Sequence, residues 1–246
     1  MSGKSFLVDL TKCTACRGCQ IACKQWKKLP GEKTKNTGTH QNPPDFSFHT
    51  LRVVRFSEKE VDGQVKWFFT PDQCRHCLEA PCKTATNDPD AIVIDEQTGA
   101  VVYTPKTAKE SYEAVVGICP YNVPRQDKKT KVMSKCDMCV DRVKAGKLPA
   151  CVQSCPTGCM NFGDREDMLK LAEKRLAEAR KKHPKAQLVD ADSVRVIFLT
   201  ADDPTLYATN LMADASDAMP GAPTRTASTR RELFAALGRP AKGLLG

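Results

Sequence analysis

Cys13-Thr14-Ala15-Cys16-Arg17-Gly18-Cys19-Gln20-Ile21-Ala22-Cys23 decides the fold, because its C-x2-C-x2-C-x3-C spacing is that of a cluster-binding loop. Three thiolates so spaced hold three corners of a [4Fe–4S] cube, and the fourth cysteine reaches across to a second cube. Three further blocks follow: Cys74-x2-Cys77-x4-Cys82, Cys119-Pro120, and Cys136-x2-Cys139-x11-Cys151-x3-Cys155-Pro156. Pairing the first block with the fourth and the second with the third, and letting the last cysteine cross, yields three ligand sets. Set one is Cys13, Cys16, Cys19 and Cys155; set two is Cys136, Cys139, Cys151 and Cys23; set three is Cys74, Cys77, Cys82 and Cys119.

The defects in this frame fall together. The C-x3-C step from Cys82 lands on Thr86, and counting back from Cys119 gives Val115, Tyr112 and Lys109. Crossing makes Thr86, Lys109, Tyr112 and Val115 the four positions of one fourth site, which therefore has no thiolate. Random loss of four cysteines would rarely empty one site and spare its neighbour. The expected cofactors are three [4Fe–4S] clusters. Cys159, the thirteenth cysteine, has no partner at ligand spacing and reads as a small buried hydrophobe.

Other chemistries fit less well. Structural zinc favours two C-x2-C pairs or Cys/His mixtures, and disulfides are poorly served by such short spacings in a chain of 246 residues, long enough to build a core without them. A radical-SAM site fails because Trp26 stands where the third cysteine of C-x3-C-x2-C belongs. His76, inside the Cys74–Cys77 loop, reads as a surface side chain rather than a mixed cysteine–histidine ligand, and His40, His49 and His183 have no constellation around them. No acid, base or nucleophile has motif-level support, so no catalytic residue is expected in this chain.

Aromatic content is 6% and charged content 27%, as suits small cores filled by cofactors, in which metal binding and folding are coupled. The net charge of +9 is the balance of 38 basic and 29 acidic residues. The basic ones concentrate at 24–35, 125–147 and 175–185, as solvated faces or as lysines that offset the charge of thiolate-ligated cubes, and without interleaved stacking aromatics nucleic-acid binding is not expected. Met1-Ser2-Gly3-Lys4-Ser5 leads straight into the apolar Phe6–Leu10, so no signal peptide is expected, and no stretch has the length of a membrane span.

The expected fold class is α+β: two ferredoxin-like modules with small antiparallel sheets and short helices, plus an extended C-terminal arm. Residues 1–50 with 130–165 form a module with two clusters, and 51–129 an inserted module with one. Residues 166–200 add a helix and a strand, and 201–246 form the arm. Strands are expected at Phe6–Asp9, Leu51–Phe56, Val65–Phe69 and Ser193–Thr200, with a hairpin of Ile92–Ile94 and Val101–Tyr103 around Thr98-Gly99. Leu169, Ala172, Leu176 and Ala179 share one face of a helix expected over Asp164–Lys182. Thr229-x-x-Glu232 is a capping box and Gly238 a stop, which predicts a short docking helix on the arm.

Between the cysteines stand Cys23-Lys24-Gln25-Trp26, Asn42-Pro43-Pro44-Asp45, Arg55-Phe56-Ser57-Glu58, Cys119-Pro120-Tyr121-Asn122-Val123-Pro124-Arg125, Cys139-Val140-Asp141-Arg142-Val143 and Cys155-Pro156-Thr157-Gly158. In these, over about residues 4–165, the chain resembles the iron–sulfur (beta) subunits of molybdenum- or tungsten-containing formate dehydrogenases. They belong to the wider group of four-cluster ferredoxin-like subunits that serve molybdopterin oxidoreductases. The resemblance implies an electron-transfer subunit whose partner is a large metal–pterin catalytic subunit and whose acceptor is a soluble protein such as a multihaem cytochrome. Lacking a fourth ligand set and a C-terminal membrane helix, the chain is similar to the shorter, soluble type. That type implies a periplasmic location, by export with the catalytic subunit; a cytoplasmic complex is the alternative. Competing readings are a subunit of a polysulfide, dimethyl sulfoxide or nitrate type oxidoreductase, a free-standing polyferredoxin, and a zinc-bound regulatory protein.

Overall fold

A computed structural model describes residues 2–213; the capping box at Thr229 and the arm from 214 onward lie outside them. In chain order the elements are β1 (Lys4–Asp9), α1 (Gly18–Trp26), β2 (Val53–Val61), β3 (Gln64–Asp72), α2 (Pro81–Thr84), β4 (Ile92–Ile94), β5 (Val101–Tyr103) and α3 (Tyr112–Gly117). There follow β6 (Arg125–Gln126), β7 (Met133–Ser134), α4 (Val140–Lys144), α5 (Ala150–Gln153), β8 (Met160–Asp164), α6 (Arg165–Arg180), β9 (Gln187–Val189) and β10 (Val196–Thr200).

Phe6-Leu7-Val8 and Val196-Ile197-Phe198-Leu199 are unbroken apolar runs, the signature of strands covered on both faces. They pair in parallel at the centre of a sheet ordered β8-β1-β10-β9, with Phe6 opposite Val196 and antiparallel edges on either side. One face presents Leu7, Ile197 and Leu199 to Leu169, Ala172 and Leu176 of α6, the face the helical spacing predicts. The other presents Phe6, Val8, Val196 and Phe198 to Cys19, Met138, Cys151 and Cys159. The sheet is therefore a wall between an ordinary helix and the cysteine-bearing loops. Beside the expected antiparallel sheets it contains this one parallel pair, and β8 and β9 were not foreseen because three- to five-residue edge strands carry little periodicity.

β2 and β3 form one nine-by-nine hairpin, not two separate short strands. The turn is Asp62-Gly63, with φ of 54° and 72°, the pair a two-residue hairpin turn requires. Although it lies within 51–129, this hairpin packs through Val54, Phe56 and Phe68 on the core of the first module. The smaller core of the insertion is Ala80, Ile92, Val101, Val115 and Met133. β4–β5 form the expected hairpin, closed by the Asp95 carboxylate, which accepts from Thr98 N at 3.0 Å and Thr98 Oγ1 at 2.8 Å. Residues 201–213 lie on the body, where Tyr207 and Leu211 are buried beside Phe68 and Arg75.

A buried ionic network ties the modules together. Asp72 accepts from Arg75 Nη1 at 2.6 Å and Arg55 Nε at 2.5 Å, and Asp45 accepts from Arg55 Nη2 at 2.7 Å and Arg125 Nη2 at 2.6 Å. Burial raises the Asp72 carboxyl, but the two guanidinium groups outweigh it and hold the carboxyl below the usual range. Arg75 lies between the rings of Tyr121 and Phe198, 4.9 and 4.7 Å from their centroids.

Candidate metal centres

The C-x2-C loops that open at Cys13, Cys74 and Cys136 turn in the same way. The residue two past the first cysteine is left-handed: Ala15 at φ 55°, His76 at 48° and Met138 at 62°. Such values are uncommon outside glycine, and here they aim amides at sulfur. His76 N donates to Cys74 Sγ and Met138 N to Cys136 Sγ, each at 3.4 Å, and the Ala15 amide serves Cys13 likewise. A short helix then follows the loop, as expected. α1 carries Cys19 and Cys23 one turn apart on its buried face, and α5 carries Cys151. Gly18 lets the two helices meet closely, since a Cβ there would stand 3.4 Å from the Ser154 carbonyl oxygen.

The thiols of each expected set lie near one another, although among the described residues no group of three or more Cys, His, Asp or Glu side chains stands close enough to hold a metal ion. Cys19 faces Cys13, Cys16 and Cys155; Cys136 faces Cys23, Cys139 and Cys151; Cys77 faces Cys74, Cys82 and Cys119. Set two is wholly buried, whereas Cys16 of set one is exposed and Cys77, Cys82 and Cys119 of set three are half-buried. Burial, with repulsion from neighbouring sulfurs, pushes Cys23 and Cys77 up to about 12 and Cys151 up to about 11. Without a cation these thiols keep their protons, and a bound metal displaces them. The set-three thiols line a cavity of about 20 Å³ with apolar walls from Ala80, Pro81, Val101 and Val123. Soft sulfur donors, sulfur-directed amides and an apolar shell fit an iron–sulfur cube.

Two buried cations lie in the gaps between sets. Arg52 is fully buried; burial opposes its charge, but the thiols of Cys151, Cys19, Cys136 and Cys23, from sets one and two, hold its pKa above the ordinary value. Its Nη2 donates to Pro71 O at 3.3 Å and Met160 Sδ at 3.2 Å, and Nη1 to Gln73 Oε1. Lys135 is buried between Cys74 and Cys82 of set three and Cys136 of set two, which raise its pKa against the effect of burial. Among the described residues neither cation has a carboxylate within salt-bridge distance. Sequence reading offered lysines of the 125–147 run as offsetting cluster charge but singled out neither residue, because a charge neutralised by a cofactor looks like a surface charge in a string of letters.

Two other sequence readings change. His76 is not a surface side chain: it is fully buried, its Nδ1 accepts from Val101 N at 3.1 Å, and burial near Lys135 and Arg195 holds it neutral. Cys159 is buried in the core, as expected of a small hydrophobe, but its thiol also lies against Cys13 and Cys155. That contact lowers Cys13 to about 7 and Cys155 to about 4, leaving Cys159 as the protonated member. The signal was its place four residues past Cys155.

The four positions without thiolates are occupied by ordinary packing. Val115 is fully buried with Ile92, Val101 and Met133, and Tyr112 packs on the same core with its hydroxyl donating to Pro124 O at 3.3 Å. Thr86 Oγ1 bonds Lys83 O at 2.7 Å, and Lys109 is exposed.

The residues between the cysteines meet one another in space. Trp26 Nε1 donates to Asp141 Oδ2 at 3.0 Å under the Arg142 guanidinium, and Asp45 joins Arg55 to Arg125. Known proteins share this arrangement of sequence. The family model described as a 4Fe-4S dicluster domain matches residues 65–165. Formate dehydrogenase subunit beta of Megalodesulfovibrio gigas is 56% identical over 207 residues, spanning 83% of this chain and 96% of that protein. Formate dehydrogenase 2 subunit beta (cytochrome c-553) of Nitratidesulfovibrio vulgaris Hildenborough is 53% identical over 210 residues, 83% of this chain and 96% of the relative. The iron-sulfur subunit of the nitrate-inducible formate dehydrogenase of Escherichia coli K12 is 35% identical over 209 residues, 82% of this chain and 70% of that one. With sulfur-lined sites of this chemistry and relatives of this identity and coverage, the chain belongs to the iron–sulfur (beta) subunits of formate dehydrogenases.

Proposed function

We propose that this chain conducts electrons, through three [4Fe–4S] cubes held by sets one, two and three, between the metal–pterin centre of a large formate dehydrogenase subunit and a soluble acceptor. Bound there, each cube supplies reversible one-electron storage. The observation that carries the reading is the sequence of sets: Arg52 stands between one and two, Lys135 between two and three, and set two is buried between them. The chain's own residues hold, insulate and electrostatically bias the centres, and none acts as acid, base or nucleophile on formate.

Set one is the entry and set three the exit in this reading. Cys16 stands exposed, so its site needs a partner surface to keep solvent away, which favours a heterodimer over a free-standing ferredoxin. Set three lies beside the site that has lost its thiolates, and losing a terminal relay shortens a wire without breaking it. The printed name of the Nitratidesulfovibrio relative includes a cytochrome, which supports a haem protein as the acceptor. Among the described residues no helix is long and apolar enough to cross a membrane. Because cluster insertion and folding are coupled, a periplasmic location implies that the chain crosses already folded and docked to its partner. Fractionation that finds it in the cytoplasm of cells whose catalytic subunit is exported would overturn that placement.

Formate added anaerobically to the purified complex is expected to bleach the brown absorbance and bring up electron paramagnetic signals from three cubes in this chain. Retention of oxidised spectra in all three, with the catalytic centre turning over, would refute conduction.

A further inference from the structure

Tyr103 and Lys135 share a wall of the set-three cavity with Cys74, Cys82 and Cys119. The Tyr103 hydroxyl is buried and faces the Cys82 thiol, with no closer hydrogen-bond partner in the described structure. An isolated buried hydroxyl is costly, so its position calls for an acceptor in the cavity. Lys135 lies under the same ring, its Nζ 4.7 Å from the centroid. Two of its three protons are engaged by the carbonyls of Val101 and Cys136, and the ammonium sits beside Cys74 and Cys82.

We infer that Tyr103 and Lys135 are positioning residues that set the reduction potential of the set-three centre. This rests on the proposed ligand assignment of Cys74, Cys77, Cys82 and Cys119. Reduction places one extra negative charge beside Cys82 without making or breaking a bond in either side chain. A hydroxyl donating to sulfur and an ammonium nearby both stabilise that charge more than they stabilise the oxidised state, which raises the potential. Their reach differs. Tyr103 touches set three alone, whereas Lys135 also lies against Cys136 of set two. The electron-delivering end of the wire is thereby biased to fill.

The test is an anaerobic redox titration of the intact complex, followed by electron paramagnetic resonance and paired with iron analysis. Tyr103→Phe is expected to keep its iron and to move one midpoint negative by three- to tenfold in the reduction equilibrium, the upper figure being about 59 mV for one electron. Lys135→Met is expected to move two midpoints the same way, and Lys135→Arg to restore most of the shift. Full iron with an unmoved midpoint in Tyr103→Phe would overturn the inference even where Lys135→Met fails to fold. Absence of a cube at set three in the unsubstituted complex would instead overturn the ligand assignment.

Discussion

Cys151→Ala in the assembled complex is expected to lose about four iron atoms per chain, one cube's worth, and to abolish electron delivery from formate to a protein acceptor. Formate turnover with a small dye that takes electrons directly at the catalytic centre should persist. The asymmetry follows from place. Cys151 sits on α5 at the packed face toward α1, in the one set whose four thiols are all buried, and it faces Cys139 as well as Cys19 of the neighbouring set. Its loss removes the middle relay and weakens the compensation of Arg52, so the first module is expected to loosen as well. Cys119→Ala should cost the same iron but disturb that module less, because Cys119 is a partly buried residue packed at the edge of the cluster of Phe46, Val53, Cys74, Tyr121, Val123, Cys136 and Val194. Full iron and normal transfer in Cys151→Ala would show that set two is not a relay.

Arg52→Met carries the second large effect. Its guanidinium is fully buried and its compensating charge comes from sulfur in two sets. A unit charge at roughly 8 Å with an effective dielectric near 20 is worth about 2 kcal/mol. For one electron that is roughly 90 mV. Removing it is expected to move the midpoints of the set-one and set-two centres negative by about that amount while leaving set three in place. Removing one member of a buried charge pair also destabilises a protein by about 3–5 kcal/mol, so the thermal midpoint of the complex should fall. Arg52→Lys retains charge and is expected to recover most of the potential and only part of the stability, since an ammonium lacks the fork that reaches both Pro71 and Gln73. Unchanged midpoints in Arg52→Met would remove the electrostatic account of the gap between sets one and two.

What the letters disclosed and what they hid divide along physical lines. Cysteine spacing is local and chemically constrained, so the C-x2-C-x2-C-x3-C and C-x2-C blocks were legible as ligand loops before any fold was known. The β4–β5 hairpin and α6 were legible for the same reason, because turn chemistry and a 3.6-residue period are short-range signals. The parallel pairing of Phe6 with Val196 was not, since contacts between the two ends of a domain leave no mark in either segment alone. Asp62-Gly63 was the visible cue for the long hairpin, overshadowed by Ser57-Glu58-Lys59-Glu60, a polar run that reads as loop but is carried by the ladder. Arg52 and Lys135 show the deepest limit: their burial is intelligible only once an anionic cofactor is placed beside them. His76 was misread for a related reason, because the backbone amide that occupies its Nδ1 belongs to Val101 in another strand.

The motifs that narrowed the family gain a physical meaning. Asp45 and Arg55 meet Arg125 from a distant part of the chain in one ionic network, and Trp26 likewise meets Asp141 and Arg142 through a hydrogen bond and a cation–π contact. They hold the cysteine loops against each other, so these residues act on how the sets are placed rather than on which atoms bind iron.

The central claim is that twelve thiols hold three cubes while the site of Thr86, Lys109, Tyr112 and Val115 holds none. Iron and acid-labile sulfide measured on the anaerobically purified native complex, after subtracting what the catalytic subunit carries, test it most directly. The account predicts about twelve iron and about twelve sulfide per chain, and a count near sixteen, or near eight, would contradict it.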